Sequence, residues 1–448
     1  MDYRYLISFF DWLLAAFYII FIIITAAYLQ KKYITENPVY KFFIWGLVVK
    51  IGGAVSVCLI YIYYYKEGGD TLGYHIDCLT MLRLLFQEPL SGIKVIFGLG
   101  VKEELFFLFN YKTGYPGYWN DTFTFNVVRL IVPLEILALK SYLVASILMG
   151  VISFTGIWKL YLMLCRCRPG LYRQFAIAVL FIPSVIFWGS GILKDSWTLA
   201  AVGWFCHSFY GIFIRRDYYL KNFIALALSI LIMVAVKPYI FVGLLPGCLL
   251  WMIWEWMMSI RNIILRILLG PFISLIGVGT GLLLWMATSP NLGQYASMDK
   301  IIFKAHVSYM DLKQDYYHGN SFDLGYYEPT LGGIFSKFPI ATMTGLFRPF
   351  IWEAKNIVMI FSGLETLVIV AFTLFVILRR PQVILFKIVN DPLVLFCLIF
   401  AIFFAFSVAI STSNFGAMVR FRIPLMPFYL SGLFLLNYSG QWKSIREK

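Results

Sequence analysis

Residues 391–411 read Asp391-Pro-Leu-Val-Leu-Phe-Cys-Leu-Ile-Phe-Ala-Ile-Phe-Phe-Ala-Phe-Ser-Val-Ala-Ile-Ser411, and no side chain after Asp391 in this run carries a charge. A helix rising 1.5 Å per residue covers with such a run the roughly 30 Å of a bilayer's hydrocarbon core. Similar runs occupy residues 7–29, 42–65, 139–164, 174–191, 196–214, 222–236, 239–258, 264–288, 356–378 and 424–438. That makes about eleven candidate spans by length. Residues 126–138 either extend the third span or form a separate re-entrant piece. Composition agrees, with 61% hydrophobic and 13% charged residues and a mean hydropathy of +0.80, too apolar for soluble domains of this length. The expectation is an all-α polytopic membrane protein, residues 1–448 forming a single integral membrane domain without a cleavable signal peptide ahead of a soluble body.

The net charge of +14 lies in short Lys/Arg clusters at span ends rather than in one basic module, so nucleic acid is not an expected partner. Lys31-Lys32, Arg166/Arg168/Arg173, Arg215-Arg216/Lys221, Arg261/Arg266, Arg379-Arg380 and Lys443/Arg446/Lys448 occupy alternate turns. The positive-inside rule assigns these to the cytoplasm, which puts the N-terminus outside and the C-terminus inside. Two large non-cytoplasmic loops follow, 66–138 and 289–355. The first contains Pro89-Leu-Ser-Gly-Ile-Lys-Val-Ile-Phe-Gly and Lys102-Glu-Glu-Leu-Phe-Phe, a pattern expected of interfacial amphipathic helices. The second, rich in Tyr, Asp, Lys and Gly, reads as a polar loop or lid. Seven cysteines suggest no disulfide framework, since only Cys78 is expected to face outward. Cys165 and Cys167 lack the second ligand pair of a zinc site.

On this topology Asp70, Lys194, Lys237, Arg348, Arg420 and Arg422 share the non-cytoplasmic face. Asp70 follows Gly68-Gly69, where a tight turn can hold a carboxylate at the membrane surface as a general base or as a helix cap. His75 and Asp77 stand close behind it, and His75 can assist Asp70, bind metal or simply be solvated. Lys194 and Asp195 sit at a short hairpin tip, where a cation beside a helix N-terminus favours phosphate; Asp195 reads as the cap. Lys237, in Val236-Lys-Pro-Tyr239, is a boundary cation that needs a partner, such as a lipid phosphate. Arg420-Phe-Arg422 suits bidentate phosphate binding if extended, with both side chains on one side, whereas a helix would splay them. Arg348 and Arg129 add further phosphate contacts, and Glu365 inside the ninth span must face protein or water.

Gly68-Gly-Asp70, the hairpin Pro183-Ser-Val-Ile-Phe-Trp-Gly-Ser-Gly-Ile-Leu-Lys-Asp195 and Arg420-Phe-Arg-Ile-Pro-Leu-Met-Pro427 resemble the arrangement in polytopic GT-C glycosyltransferases that use polyprenyl-phosphate-linked sugars. The resemblance implies a membrane-embedded enzyme of cell-envelope glycan assembly, placed in a bacterial inner membrane. Its donor would be a polyprenyl-phosphate- or diphosphate-linked sugar, and its acceptor a glycan, lipid or protein. It further implies that Asp70 acts as base or acceptor-orienting group, and that Arg420 and Arg422 hold the lipid phosphate. The early acidic loop follows the second span rather than the first, and no Asp-Glu pair accompanies Asp70. A divalent metal stays open, because the candidate ligands are scattered. Two alternatives remain: a polymerase of lipid-linked polysaccharide repeats, and a lipid or solute transporter or flippase. Transporters commonly carry repeated halves and midplane sites, whereas the unusual charges here fall at one boundary.

Overall fold

The computed structural model describes residues 6–65, 69–258, 297–314, 320–379 and 381–438. In chain order the helices begin with α1 (Phe9–Tyr33), α2 (Phe43–Leu59), α3 (Asp70–Gln87), α4 (Pro89–Phe97), α5 (Lys102–Phe106), α6 (Thr122–Leu137) and α7 (Tyr142–Cys167). They continue with α8 (Tyr172–Leu180), α9 (Pro183–Trp188), α10 (Lys194–Phe209), α11 (Tyr219–Val236), α12 (Pro238–Met258), α13 (Met298–Asp311) and α14 (Leu331–Ser336). The last are α15 (Phe338–Phe347), α16 (Ile357–Arg379), α17 (Pro381–Asn390), α18 (Pro392–Ser411), α19 (Phe415–Phe421) and α20 (Met426–Asn437). Among the described residues there is no β-strand, only an isolated antiparallel bridge between Ser321 and Asn414.

Eight helices among these residues are long and apolar enough to cross a membrane, or nine if α19 and α20, bent by 66°, make one span. α1 buries only Ala15 and Ala26, leaving Phe10, Phe17, Phe21 and Tyr28 exposed. Apolar surface of that extent is stable against hydrocarbon rather than water, and the chain is a helical multi-pass membrane protein. Residues 264–288, expected to form a span, lie outside the described residues. The expected span 174–191 is broken into α8 and α9 at Phe181-Ile182. Pro183 explains the break, because it has no amide proton and disfavours helix at the residue before it. Residues 126–138 are a separate helix, α6, ended by Leu139 and Lys140 at φ 53° and 67°.

The described helices sort into two compact units. The first is Met1–Lys159, Val185–Trp204 and Leu231–Lys237; the second is Leu160–Ser184, Phe205–Ile230 and Pro238–Lys448. In the first, α3 packs on α4 and α6, so the expected loop 66–138 is largely a helical assembly. Cys78 is buried there, its thiol donating to the Val128 carbonyl at 3.2 Å, and does not face outward as expected. In the second unit α18 is apolar on every side and buried accordingly. It packs against α12, α15 and α20, with Phe396 stacked on Trp251 at 5.0 Å and Phe400 edge-on to Phe428 at 4.8 Å.

Charged groups inside spans close helix ends. Lys50, 3% exposed, donates to the Val185 carbonyl at 2.8 Å. Glu365 accepts from the Ser184 amide at 2.6 Å and hydroxyl at 2.7 Å, facing protein as its position in a span requires. Close helix contact in the first unit rests on small residues: a Cβ at Gly203 would collide with the Gly156 carbonyl, and one at Gly156 with Ala200 backbone. Gly203→Ala is therefore expected to destabilise the detergent-solubilised protein by about 1–3 kcal/mol. Gly52→Ala, with nothing within 4 Å of the new methyl, should leave stability unchanged or slightly raised, as read by reversible denaturation.

Candidate functional site

The first unit gathers helix ends. Gly69 precedes Asp70 at φ 107°, and a Cβ there would lie 2.8 Å from Tyr61 Cε1. Conformation and space both demand glycine. The turn before α10 shows the same close approach, since a Cβ at Gly191 would lie 2.6 Å from Val57 Cγ1. Val57 and Tyr61 are four residues apart, so the turns presenting Asp70 and Lys194 seat on neighbouring turns of one helical stretch. That stretch passes from α2 into a π-turn, Ile60–Tyr64, a distortion frequent at functional sites.

At the start of α10, Lys194 donates to Thr124 Oγ1 at 2.5 Å and stands 3.6 Å from Asp121 Oδ2. Asp121 caps α6, accepting from the Phe123 and Thr124 amides at 3.1 and 3.2 Å. Burial pushes the Asp121 pKa up, but the Thr124 hydroxyl, the Lys194 charge and these amides carry it below the usual carboxylate value. The first turns of α6 and α10 thus meet through Thr124 and Lys194, with the α6 amides closed by Asp121. Asp195 is buried and ion-paired with Lys237, Oδ1 to Nζ 2.5 Å, with side-chain exposures of 2% and 7%. The boundary cation Lys237 therefore has a protein partner, and Asp195 is an ion-pair member in the first turn of α10.

His75 is 2% exposed, with Nδ1 2.7 Å from Glu135 Oε1 and its ring 5.3 Å from Tyr142. It lies in the α3–α6 interior rather than on a solvated face, and Glu135 Oε2 has no hydrogen-bond partner. Asp77 accepts from the Gly117 and Tyr118 amides, both at 2.8 Å, while burial raises its pKa against those bonds. It anchors the loop ahead of α6. Among the described residues no group of three or more His, Cys, Asp or Glu could hold a metal ion.

The second unit holds the arginines. Residues 415–421 are helical and Arg422 is their αR C-cap, so Arg420 and Arg422 splay by about 200° instead of sharing a side. Arg420 is half-buried. Arg422 is fully buried, and its guanidinium donates to the carbonyls of Gly345 (3.3 Å), Leu346 (3.4 Å) and Arg348 (2.5 Å) and to Thr366 Oγ1 (3.0 Å). Those carbonyls end α15, where the last acceptors of a helix have no intrahelical donors. Arg348 binds Glu353 through Nε at 3.0 and 3.1 Å and through Nη2, its guanidinium 4.9 Å from the Phe415 ring centroid. Both arginines are committed to the protein. Sequence reasoning missed these structural roles and those of Lys50 and Glu135; the apolar residues flanking Arg422 on both sides are the available signal.

Compared with family models, curated proteins and solved structures, the chain has no match.

Breaking the buried pair should cost more than removing it. Lys237→Met leaves Asp195 buried and uncompensated, for an expected loss of about 3–5 kcal/mol in unfolding free energy. The double variant Asp195→Leu/Lys237→Met should recover most of that loss. Equal unfolding midpoints for Lys237→Met and the parent protein would show that the pair carries no such role.

Proposed function

We propose that this protein is a membrane-embedded glycosyltransferase that moves a sugar from a polyprenyl-phosphate-linked donor to an acceptor hydroxyl on the non-cytoplasmic face. The observation that carries the reading is the pairing of two turns on one helical stretch of the first unit. One presents the Asp70 carboxylate, the other the Lys194 ammonium beside the starts of α6 and α10. A carboxylate and a half-buried cation presented from neighbouring turns suit a reaction that removes a proton at one point and develops negative charge at another.

In this reading the acceptor oxygen forms a bond to the anomeric carbon as the bond from that carbon to the phosphate oxygen breaks. Asp70 takes the hydroxyl proton. The electron pair of the breaking bond stays with the phosphate, and Lys194 offsets its charge together with the N-terminus of α10. Holding donor and acceptor in one interfacial site supplies the proximity contribution. Lys237 acts at one remove, fixing Asp195 and with it the first turn of α10. Arg348 and Arg422 serve the fold of the second unit, and the phosphate role that the family resemblance gives to Arg420 and Arg422 is assigned in this reading to Lys194.

Purified protein supplied with a polyprenyl-phosphate-linked sugar tests this. Asp70 is the first residue of α3, after the Gly69 N-cap; Asp70→Asn preserves its shape, so transfer should fall by about 10²–10⁴-fold with donor binding retained. Lys194→Ala should weaken donor affinity. Near-parental transfer by Asp70→Asn removes the general base and with it the reading. Sidedness is checked by impermeant thiol labelling of Tyr111→Cys, at a site 85% exposed, in intact cells. The seven native cysteines are all buried and leave a quiet background.

A further inference from the structure

Next to the start of α6 the first unit also contains an open cavity of about 180 Å³ beside the turn that joins α4 to α5. Gly98, Lys102, Trp119, Thr122, Phe125 and Arg129 line it, and no carboxylate does. Arg129 is held in place on three sides. Its Nε donates to the Val95 carbonyl at 2.9 Å, its Nη1 to Asn126 Oδ1 at 3.1 Å, and its guanidinium lies 5.0 Å from the Phe125 ring centroid. Nη2 has no hydrogen-bond partner and the side chain no ion-pair partner among the described residues. Burial lowers its pKa with no opposing charge to offset it. A planar, immobilised and partly desolvated guanidinium without a carboxylate is arranged for an external anion.

The surroundings narrow the anion. Lys102 adds a second cation whose one hydrogen bond, to the Asn120 carbonyl, is long at 3.4 Å. Gly98 has φ 65°, and a Cβ there would lie 3.3 Å from Arg129 Nη1, so glycine keeps space open beside the guanidinium. The neighbouring Asp121 is already engaged by two amides, the Thr124 hydroxyl and Lys194. Around the cavity Phe97, Leu99, Val101 and Phe107 are exposed. Cations in a recess beside a broad apolar surface match an amphiphile with an anionic head.

We propose that this cavity holds the phosphate of a membrane lipid, with Arg129 and Lys102 as its cations and the exposed α4–α5 surface against its chains. Free phosphate offers the same oxygens but has no use for that apolar surface. The assignment stands apart from the transferase reading and does not need it.

The test uses the full-length protein in neutral detergent, with thermal protection and lipid retention in native mass spectrometry as readouts. Phosphatidylglycerol should protect the parent protein, whereas a neutral glucosyl diacylglycerol and inorganic phosphate should not. Lys102→Gln should weaken phosphatidylglycerol binding about fivefold, the loss expected for one cation near an anionic surface. Arg129→Lys should weaken it by at least as much, since charge without the planar fork loses the bidentate contact. Arg129 also holds the end of α4, so Lys102→Gln keeps the test decisive if the Arg129 variant loosens the fold. Unchanged phosphatidylglycerol affinity in Lys102→Gln, or equal protection by the glycolipid, would overturn the site. Inorganic phosphate protecting as well as phosphatidylglycerol would overturn the lipid assignment.

Discussion

Helix ends that water cannot reach must be closed by the protein itself, and the rest of this structure depends on how that is done. A backbone amide or carbonyl left unpaired in an apolar environment costs several kcal/mol. Here charged side chains supply the missing partners. Lys50 takes the Val185 carbonyl, Glu365 takes the Ser184 amide, and Arg422 gathers three carbonyls at the end of α15. Lys387 does the same for α20, reaching the Leu436 carbonyl at 2.8 Å and the Leu435 carbonyl at 3.3 Å. Lys50 and Glu365 lie within candidate spans, where an unpaired charge would be prohibitively costly, and each of the four is tolerated because a helix terminus carries a complementary partial charge.

The same constraint shapes the candidate site of the first unit. Breaking a helix near a boundary leaves amides that need acceptors; at the start of α6 Asp121 supplies one, and Lys194 from the start of α10 reaches Thr124 beside it. Glycine makes the close approach feasible at Gly69 and Gly191, where any side chain would strike Tyr61 or Val57. The Asp195–Lys237 pair then holds the base of α10 without presenting a bare charge. The turns that carry Asp70 and Lys194 thus seat on neighbouring turns of one helical support, the placement on which the proposed transfer rests.

Three arginines illustrate how environment decides which guanidinium groups the protein itself engages. Arg422 is buried among carbonyls and Arg348 is forked on a carboxylate; neither has a free fork to offer. Arg129, with one carbonyl, one amide oxygen and no carboxylate, keeps one guanidinium nitrogen unused beside a cavity. Formal charge and position in the chain are the same kind of signal in all three. The acceptors that other parts of the chain bring alongside differ.

The membrane class was legible in the sequence alone, because a run such as Pro392–Ser411 has one favourable fate and its length follows from bilayer thickness. Individual spans were legible for the same reason, and so was the turn at Gly69-Asp70, since a positive φ restricts the residue to glycine. Local rules failed where two outcomes share one local pattern. Pro183 breaks an otherwise continuous apolar run, and Arg420-Phe-Arg422 is bidentate when extended but splayed on the helix it forms. Tertiary structure alone decided which charged and polar side chains are closed by protein: Lys237 by Asp195, His75 by Glu135, Arg348 by Glu353. These partners lie 42, 60 and 5 residues away in sequence. No spacing rule announces such pairs, because a charge in an apolar medium takes whichever opposite group the packing of helices delivers to it.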